Sequence, residues 1–310
     1  MKIRRIDQGQ LQGAARNPAE AFTFAAGRQD TAQVQDWIGT GIEVTASNPS
    51  SPANVGPNSA PLVALRHVGK AFASGVVALD RFDLAVREGE FLSLLGPSGC
   101  GKSTALRIIA GLSEPSAGRV DWRDGVAARR GIGFVFQEPT LMPWATVSDN
   151  VRLPLRLRGE HAADAAPRVQ EALDRVGLAA FAGAYPRELS GGMKMRVSIA
   201  RALVTQPALL LMDEPFAALD EITRFKLNDD LIALWRALGK TVVFVTHSVF
   251  ESVYLSTRIV VMTPRPGRVF AELAVDAPHL RDARFRTSAE YAGLCRLTSD
   301  ALGKAMGQGT

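Results

Sequence analysis

The stretch Phe91-Leu92-Ser93-Leu94-Leu95-Gly96-Pro97-Ser98-Gly99-Cys100-Gly101-Lys102-Ser103-Thr104-Ala105-Leu106-Arg107-Ile108-Ile109 joins an apolar run, a glycine-rich turn and a helical pattern. The turn is a complete G-x-x-x-x-G-K-S, and strand, loop and helix are the context in which that spacing binds phosphate. Glycines let backbone N–H groups turn inward, and the helix N-terminus adds its positive dipole end. Gly96, Pro97, Ser98, Gly99, Cys100, Gly101, Lys102, Ser103 and Thr104 are therefore expected to cradle a nucleoside triphosphate. Lys102 would reach the β- and γ-phosphates, and the Ser103 hydroxyl would join a Mg²⁺ shell.

A second signal is Ala208-Leu209-Leu210-Leu211-Met212-Asp213-Glu214-Pro215, a buried-strand pattern ending in adjacent carboxylates. Buried charges need cations or polar partners. Asp213 fits the acidic Mg²⁺ partner of a phosphate-loop ATPase, and Glu214 fits a general base for the attacking water.

Further apolar runs at 132–136 and 241–245 alternate with helical patterns, predicting an α/β core with a mainly parallel sheet. Residues 144–187 lack such a run. Their apolar residues recur among charges, as in Val169-Gln170-Glu171-Ala172-Leu173-Asp174-Arg175-Val176, predicting an inserted helical subdomain over about 138–190. Residues 46–61 have linker composition and residues 1–45 are expected to be disordered or a marginal helix, so that 1–62 form a disordered extension and linker or the product of an early translation start. The main domain is expected over 63–280 and a short helical tail over 281–310.

Across 310 residues, 46% are hydrophobic and 22% charged. That composition belongs to a globular chain large enough for a substantial core. Nothing approaches the ~18 consecutive apolar residues of a membrane span, and the first residues lack the apolar core of a secretory signal. Two cysteines, Cys100 and Cys295, exclude a disulfide framework and suit a reducing compartment. The net charge is +5. In residues 1–62, Lys2, Arg4, Arg5, Arg16 and Arg28 cancel Asp7, Glu20, Asp30, Asp36 and Glu43, leaving the excess in the folded part. An anionic membrane, nucleic acid and a merely solvated surface explain that excess equally well.

The third signal is Leu189-Ser190-Gly191-Gly192-Met193-Lys194-Met195-Arg196. Ser190 is a good N-cap, two glycines bare the backbone, and Met193, Val197, Ala200 and Leu203 follow at helical spacing. With the first two signals, this segment resembles the signature sequence of ABC-type ATPases, with Met193 where many members have Gln. The resemblance covers roughly residues 63–275. It implies a RecA-like mixed-sheet core with an inserted helical subdomain, ATP and Mg²⁺ as ligands, and ATP hydrolysis as the activity. Gln137 matches the Q-loop glutamine, a sensor of Mg²⁺ and the attacking water. Ala218-Leu219-Asp220 matches the D-loop. His247 matches the switch histidine that contacts the γ-phosphate, and Phe72 stands where the family stacks an aromatic on adenine, although a core role is also open to it. The family further implies a head-to-tail pair in which Ser190, Gly191 and Gly192 of one copy face the Lys102 loop of the other.

Glu138-Pro139-Thr140-Leu141-Met142-Pro143-Trp144 and Glu214–Arg224 are similar to the importer branch that includes nitrate, aliphatic sulfonate and taurine systems. That likeness implies a homodimer, integral permease subunits, an extracytoplasmic solute-binding protein acting indirectly, and a peripheral position on the cytoplasmic face of the inner membrane. The apolar loop 141–144 is expected either to grip the permease or to pack internally. Soluble ABC-type ATPases of DNA repair or translation and the ATPase of a split exporter are the alternatives. A repair ATPase would need a long coiled coil between the phosphate loop and the signature, and the gap of roughly ninety residues shows no sustained heptads. No nucleic-acid partner is expected.

Overall fold

The computed structural model describes residues 44–46, 61–123, 125, 131–277 and 281–307. Its strands and helices run β1 (Val44–Ala46), β2 (Val63–Ala71), β3 (Val77–Val86), β4 (Phe91–Leu95), α1 (Lys102–Ile109), β5 (Ala117–Trp122) and β6 (Ile132–Val135). Then come α2 (Val147–Leu157), α3 (Ala162–Arg175), α4 (Gly191–Leu203), β7 (Leu209–Asp213), α5 (Glu221–Leu238), β8 (Thr241–Thr246) and α6 (Val249–Leu255). The chain closes with β9 (Arg258–Met262), β10 (Val269–Ala274), α7 (Ala283–Arg286) and α8 (Ala289–Gly307).

Five strands lie parallel in the order β9-β4-β8-β7-β6, and β10 and β1 extend the β9 edge antiparallel. Strands β4, β7, β8 and β9 are buried along their whole length. Such strands read as unbroken apolar runs because both faces are covered. Their side chains alternate between two cores. Leu92, Leu94, Leu209, Leu211, Val243, Val245 and Val260 face α1 and a separate antiparallel sheet, β3-β2-β5. Phe91, Leu95, Leu210, Met212, Phe244, Ile259 and Val261 face the helical side. Each fully buried side chain of this size contributes about 1.5–3 kcal/mol. The antiparallel sheet is an addition to the expected mainly parallel one; its strands β2 and β3 are only half buried, so their apolar residues are interrupted by exposed ones.

The segment between β6 and α4 is helical. Thr146 caps α2 by accepting from Asp149 N at 3.1 Å, and α2 packs on α3 and α4. The fully buried Asn150 ties the preceding loop down, accepting from Met142 N at 2.7 Å and donating to the carbonyls of Met142, Ala145 and Thr146. Val44–Ala46 pairs with β10, so three residues of the segment read as an extension belong to the sheet; the β10 edge offered unpaired backbone groups for a strand to take. Apart from these and residues 61–62, the expected N-terminal extension lies outside the described residues. The C-terminal helices are pinned by Arg286, which pairs with Asp229 at 2.7 Å and stacks 3.9 Å from the Tyr254 ring centroid, and by Tyr291 Oη, which donates to Phe250 O at 2.8 Å. Among the described residues no helix is long and apolar enough to cross a membrane.

One buried cation ties the layers together. Arg258 on β9 pairs with Glu90 (2.8 Å) and Glu272 on β10 (2.7 Å) and donates to Ala85 O on β3 (2.5 Å). Removing one member of such a group leaves its partners charged and unpaired in a dry place. Arg258→Met is expected to cost about 3–5 kcal/mol in urea unfolding, and Glu90→Gln together with Arg258→Met less than Arg258→Met alone.

Candidate functional site

The parallel register brings the strand tips into line. Leu94 on β4, Val245 on β8 and Asp213 on β7 lie side by side, so the residues after them leave the sheet at one edge. Gly96 to Gly101 follow β4, Glu214 follows β7 and His247 follows β8. Val135 is level with Met212, so Gln137 emerges at the same edge, and it is exposed.

The phosphate loop is shaped by its glycines. Gly99 and Gly101 have φ of 76° and 109°, where side chains are strained. A Cβ at Gly101 would lie 2.7 Å from Ala78 O on β3, so the hairpin of the antiparallel sheet backs the loop directly. Lys102 is 3% exposed and folds back, its Nζ donating to Gly96 O at 2.8 Å and Pro97 O at 3.0 Å. Arg265, in the turn after β9, reaches the loop as well, donating from Nε to Gly99 O at 3.3 Å.

The acidic pair meets this loop. Ser103 Oγ donates to Asp213 Oδ1 at 2.7 Å. Burial pushes the Asp213 carboxyl above its ordinary value, opposed by the Ser103 hydrogen bond and the charge of Arg107. Glu214 has φ of 45°, a left-handed backbone in a non-glycine residue, held by its N–H donating to Val245 O at 3.1 Å. That turn aims its carboxylate between the Lys102 ammonium and the His247 imidazole: Oε1 lies 3.6 Å from Lys102 Nζ, and Oε2 lies 3.0 Å from His247 Nδ1. Burial likewise pushes Cys100 up, keeping a neutral thiol inside the loop.

Lys102, Ser103, Asp213, Glu214 and His247 thus form one cluster. Phe72 is 45% exposed in the β2–β3 hairpin, with the Lys70 ammonium 5.5 Å from its ring centroid. Ser190, Gly191 and Gly192 do not line this cluster's contacts; they open α4, where Ser190 Oγ accepts from Met193 N at 3.3 Å. A Cβ on Gly192 would stand 2.8 Å from Thr223 Cγ2, so α4 begins pressed against the first turn of α5. Sequence reading missed Arg265 and Arg201. The Arg201 guanidinium donates to Pro139 O (2.7 Å) and Thr140 O (2.8 Å), fixing the loop after Gln137. Neither has a local signal, because both act across long stretches of chain.

The arrangement suits a triphosphate and a hard cation. Backbone N–H groups and a lysine gather at a helix start, and Ser103 with Asp213 offers oxygen ligands. No group of three or more His, Cys, Asp or Glu side chains is placed to hold a metal among the described residues. Fold and site together define a phosphate-loop ATPase.

Residues 79–217 match the ABC transporter family. An uncharacterized ABC transporter ATP-binding protein of Methanocaldococcus jannaschii is 50% identical over 220 residues, 70% of this chain and 80% of that protein. An aliphatic sulfonates import ATP-binding protein of Pseudomonas savastanoi is 47% identical over 72% of this chain and 90% of its own length. A taurine import ATP-binding protein of Rhizobium johnstonii is 48% identical over 65% of this chain and 78% of its own. The dimeric ATP-binding cassette MJ0796, solved after hydrolysis with ADP and Pi, is similar with a TM-score of 0.60 and 37% identity, over 70% of this chain and all of that one. The chain belongs to the ABC transporter family, as an ATP-binding subunit that hydrolyses ATP.

Gly101→Ala adds a side chain that meets the Ala78 carbonyl at an unfavourable φ. It is expected to destabilise the protein by about 2 kcal/mol or more in urea unfolding and to weaken nucleotide binding in parallel.

Proposed function

We propose that the chain is the ATPase subunit of an importer for a small solute of the nitrate, aliphatic sulfonate or taurine kind. The position of Glu214, between Lys102 and His247 at the mouth of the phosphate loop, is the observation that carries the chemistry. The relatives named as sulfonate and taurine import subunits support the substrate class.

Residues Gly96 to Thr104 hold the phosphates of ATP, and Phe72 stacks on the adenine. Glu214 polarises the attacking water and takes its proton; Lys102 and His247 meet the γ-phosphate. Gln137 reports on the water and the ion. Ser103, Asp213 and Gln137 would hold Mg²⁺, which would neutralise phosphate charge when bound. Ser190, Gly191 and Gly192 serve the site of a second copy, so the working form is a head-to-tail dimer; the dimeric cassette MJ0796 supports that reading. Closure of the dimer on ATP shifts the permease between its states. Residues 138–190 act as the helical subdomain that carries this coupling, and 281–310 as a docked tail. The subunit sits peripherally on the cytoplasmic face of the membrane, and a solute-binding protein acts at a distance.

The loop 141–144 divides its roles. Leu141 packs on the helical core, whereas Trp144 is 77% exposed on a loop that Asn150 keeps rigid. A preformed exposed aromatic suits a partner's pocket. The repair alternative is disfavoured by length: the described helices between α1 and α4 span 11 and 14 residues, too short for a coiled-coil arm.

Glu214→Gln should retain ATP binding while turnover falls by about a hundredfold or more, read by nucleotide titration and phosphate release; near-normal turnover would remove Glu214 from the base role. Trp144→Ala should leave the free subunit's ATPase unchanged and weaken permease association by about 2 kcal/mol, roughly thirtyfold, measured by co-purification and transport in vesicles.

A further inference from the structure

A cavity of about 580 Å³ opens between α6 and α8, and no phosphate-loop residue lines it. Its origin is legible in α8. Ala292, Cys295 and Ser299 share one face of that helix, and their short side chains leave space against α6. A volume of this order suits a small molecule.

The charge of the lining is one-sided. Arg224, Arg296 and His247 contribute cationic or proton-bearing groups, and no carboxylate lines the space. Glu251 does not line it; its Oε1 lies 3.6 Å from Arg224 Nε and its Oε2 accepts from Thr246 Oγ1 at 2.5 Å. Arg224 Nε is buried without a hydrogen-bond partner. Arg296 is exposed on α8 and makes no ion pair with the described residues. The lining also includes the apolar Val249 and Phe250, the latter 63% exposed. Cationic head-group sites together with apolar side chains fit a molecule with one acidic end and a short hydrocarbon body.

We propose that this cavity binds a small organic anion and that its occupancy slows ATP turnover through His247. The imidazole belongs to both places: it lines the cavity and its Nδ1 lies 3.0 Å from Glu214 Oε2. An anion beside the ring competes with Glu214 for it, drawing the histidine out of register with the ATP site. The regulatory half rests on the assignment of His247 to the γ-phosphate; the binding half does not.

The test uses the full chain and three probes: 1-butanesulfonate, butyrate and the neutral 1-butanol. Calorimetry on nucleotide-free protein reads binding, and phosphate release reads turnover. Binding of at least one anion but not of the alcohol is expected, and the tighter of the two identifies a sulfonate or a carboxylate source. Arg296→Glu should weaken that binding by about tenfold or more, and Ser299→Trp should abolish it by filling the space. Basal turnover of both variants should stay within about twofold of the parent. The bound anion should lower kcat with KM for ATP unchanged. No anion binding, equal binding of the alcohol, or binding indifferent to both substitutions overturns the site. Binding without a fall in kcat overturns the regulation. Because Glu214→Gln tests the ATP site separately, failure of that assignment leaves the calorimetric result standing.

Discussion

Three buried parallel strands end side by side, and the charged groups at their tips meet one another within a few ångström. Lys102 is almost wholly enclosed, yet its ammonium finds two loop carbonyls and the Glu214 carboxylate. Asp213 is enclosed too, and meets the Ser103 hydroxyl. Burial of an ion is costly unless polar partners replace its water. Part of that compensation crosses strands: Lys102, after β4, meets Glu214, after β7, and Asp213 on β7 meets Ser103 in α1, so it depends on the register of β4 and β7 across the intervening β8. The geometry of this cluster and the sheet register are therefore one constraint.

The same logic explains why the sheet is held so firmly on its other side. Arg258 reaches from β9 to Glu90 before β4, to Glu272 on β10 and to a carbonyl of β3. It lies at the opposite end of β9 from Met262, whose Cβ and carbonyl crowd the position of Gly96. Fixing β9 at its start thus fixes what backs the phosphate loop at its end. On the antiparallel side, Ala78 presses the loop through Gly101. The loop is clamped between two sheets: a Cβ at Gly101 would clash with Ala78 O at 2.7 Å, and one at Gly96 would press on Met262 at 3.2 Å.

The phosphate loop, the Asp213-Glu214 pair and the signature helix were legible in the sequence because each is a contiguous run with a fixed backbone demand. Strands 91–95, 209–213 and 241–246 were legible because a strand buried on both faces has no polar side to interrupt it. What escaped was long-range or conformational. Arg258 gathers partners from three separate segments, and Arg201 secures a loop some sixty residues earlier. The left-handed turn at Glu214 has no glycine to announce it. Strand β9 opens on an arginine, and only the folded chain shows the carboxylates that make it a core residue. The loop 141–144 reads as four alike apolar residues; Asn150 decides which of them faces outward.

Gly191 and Gly192 illustrate how one sequence feature can answer two demands. A helix start with bare backbone is suited to an anion, which favours the shared-site reading of Ser190 and its glycines. Their packing gives an independent reason. A Cβ on Gly191 would lie 3.2 Å from Leu219, and one on Gly192 would lie 2.8 Å from Thr223. Leu219 and Thr223 flank Asp220, which caps α5 by accepting from Thr223 N at 2.9 Å, six residues beyond Glu214. The start of α4 is thereby pressed against the segment that leads from Glu214. Tight packing of two glycines on one short turn thus joins the start of α4 to the segment that begins at Glu214.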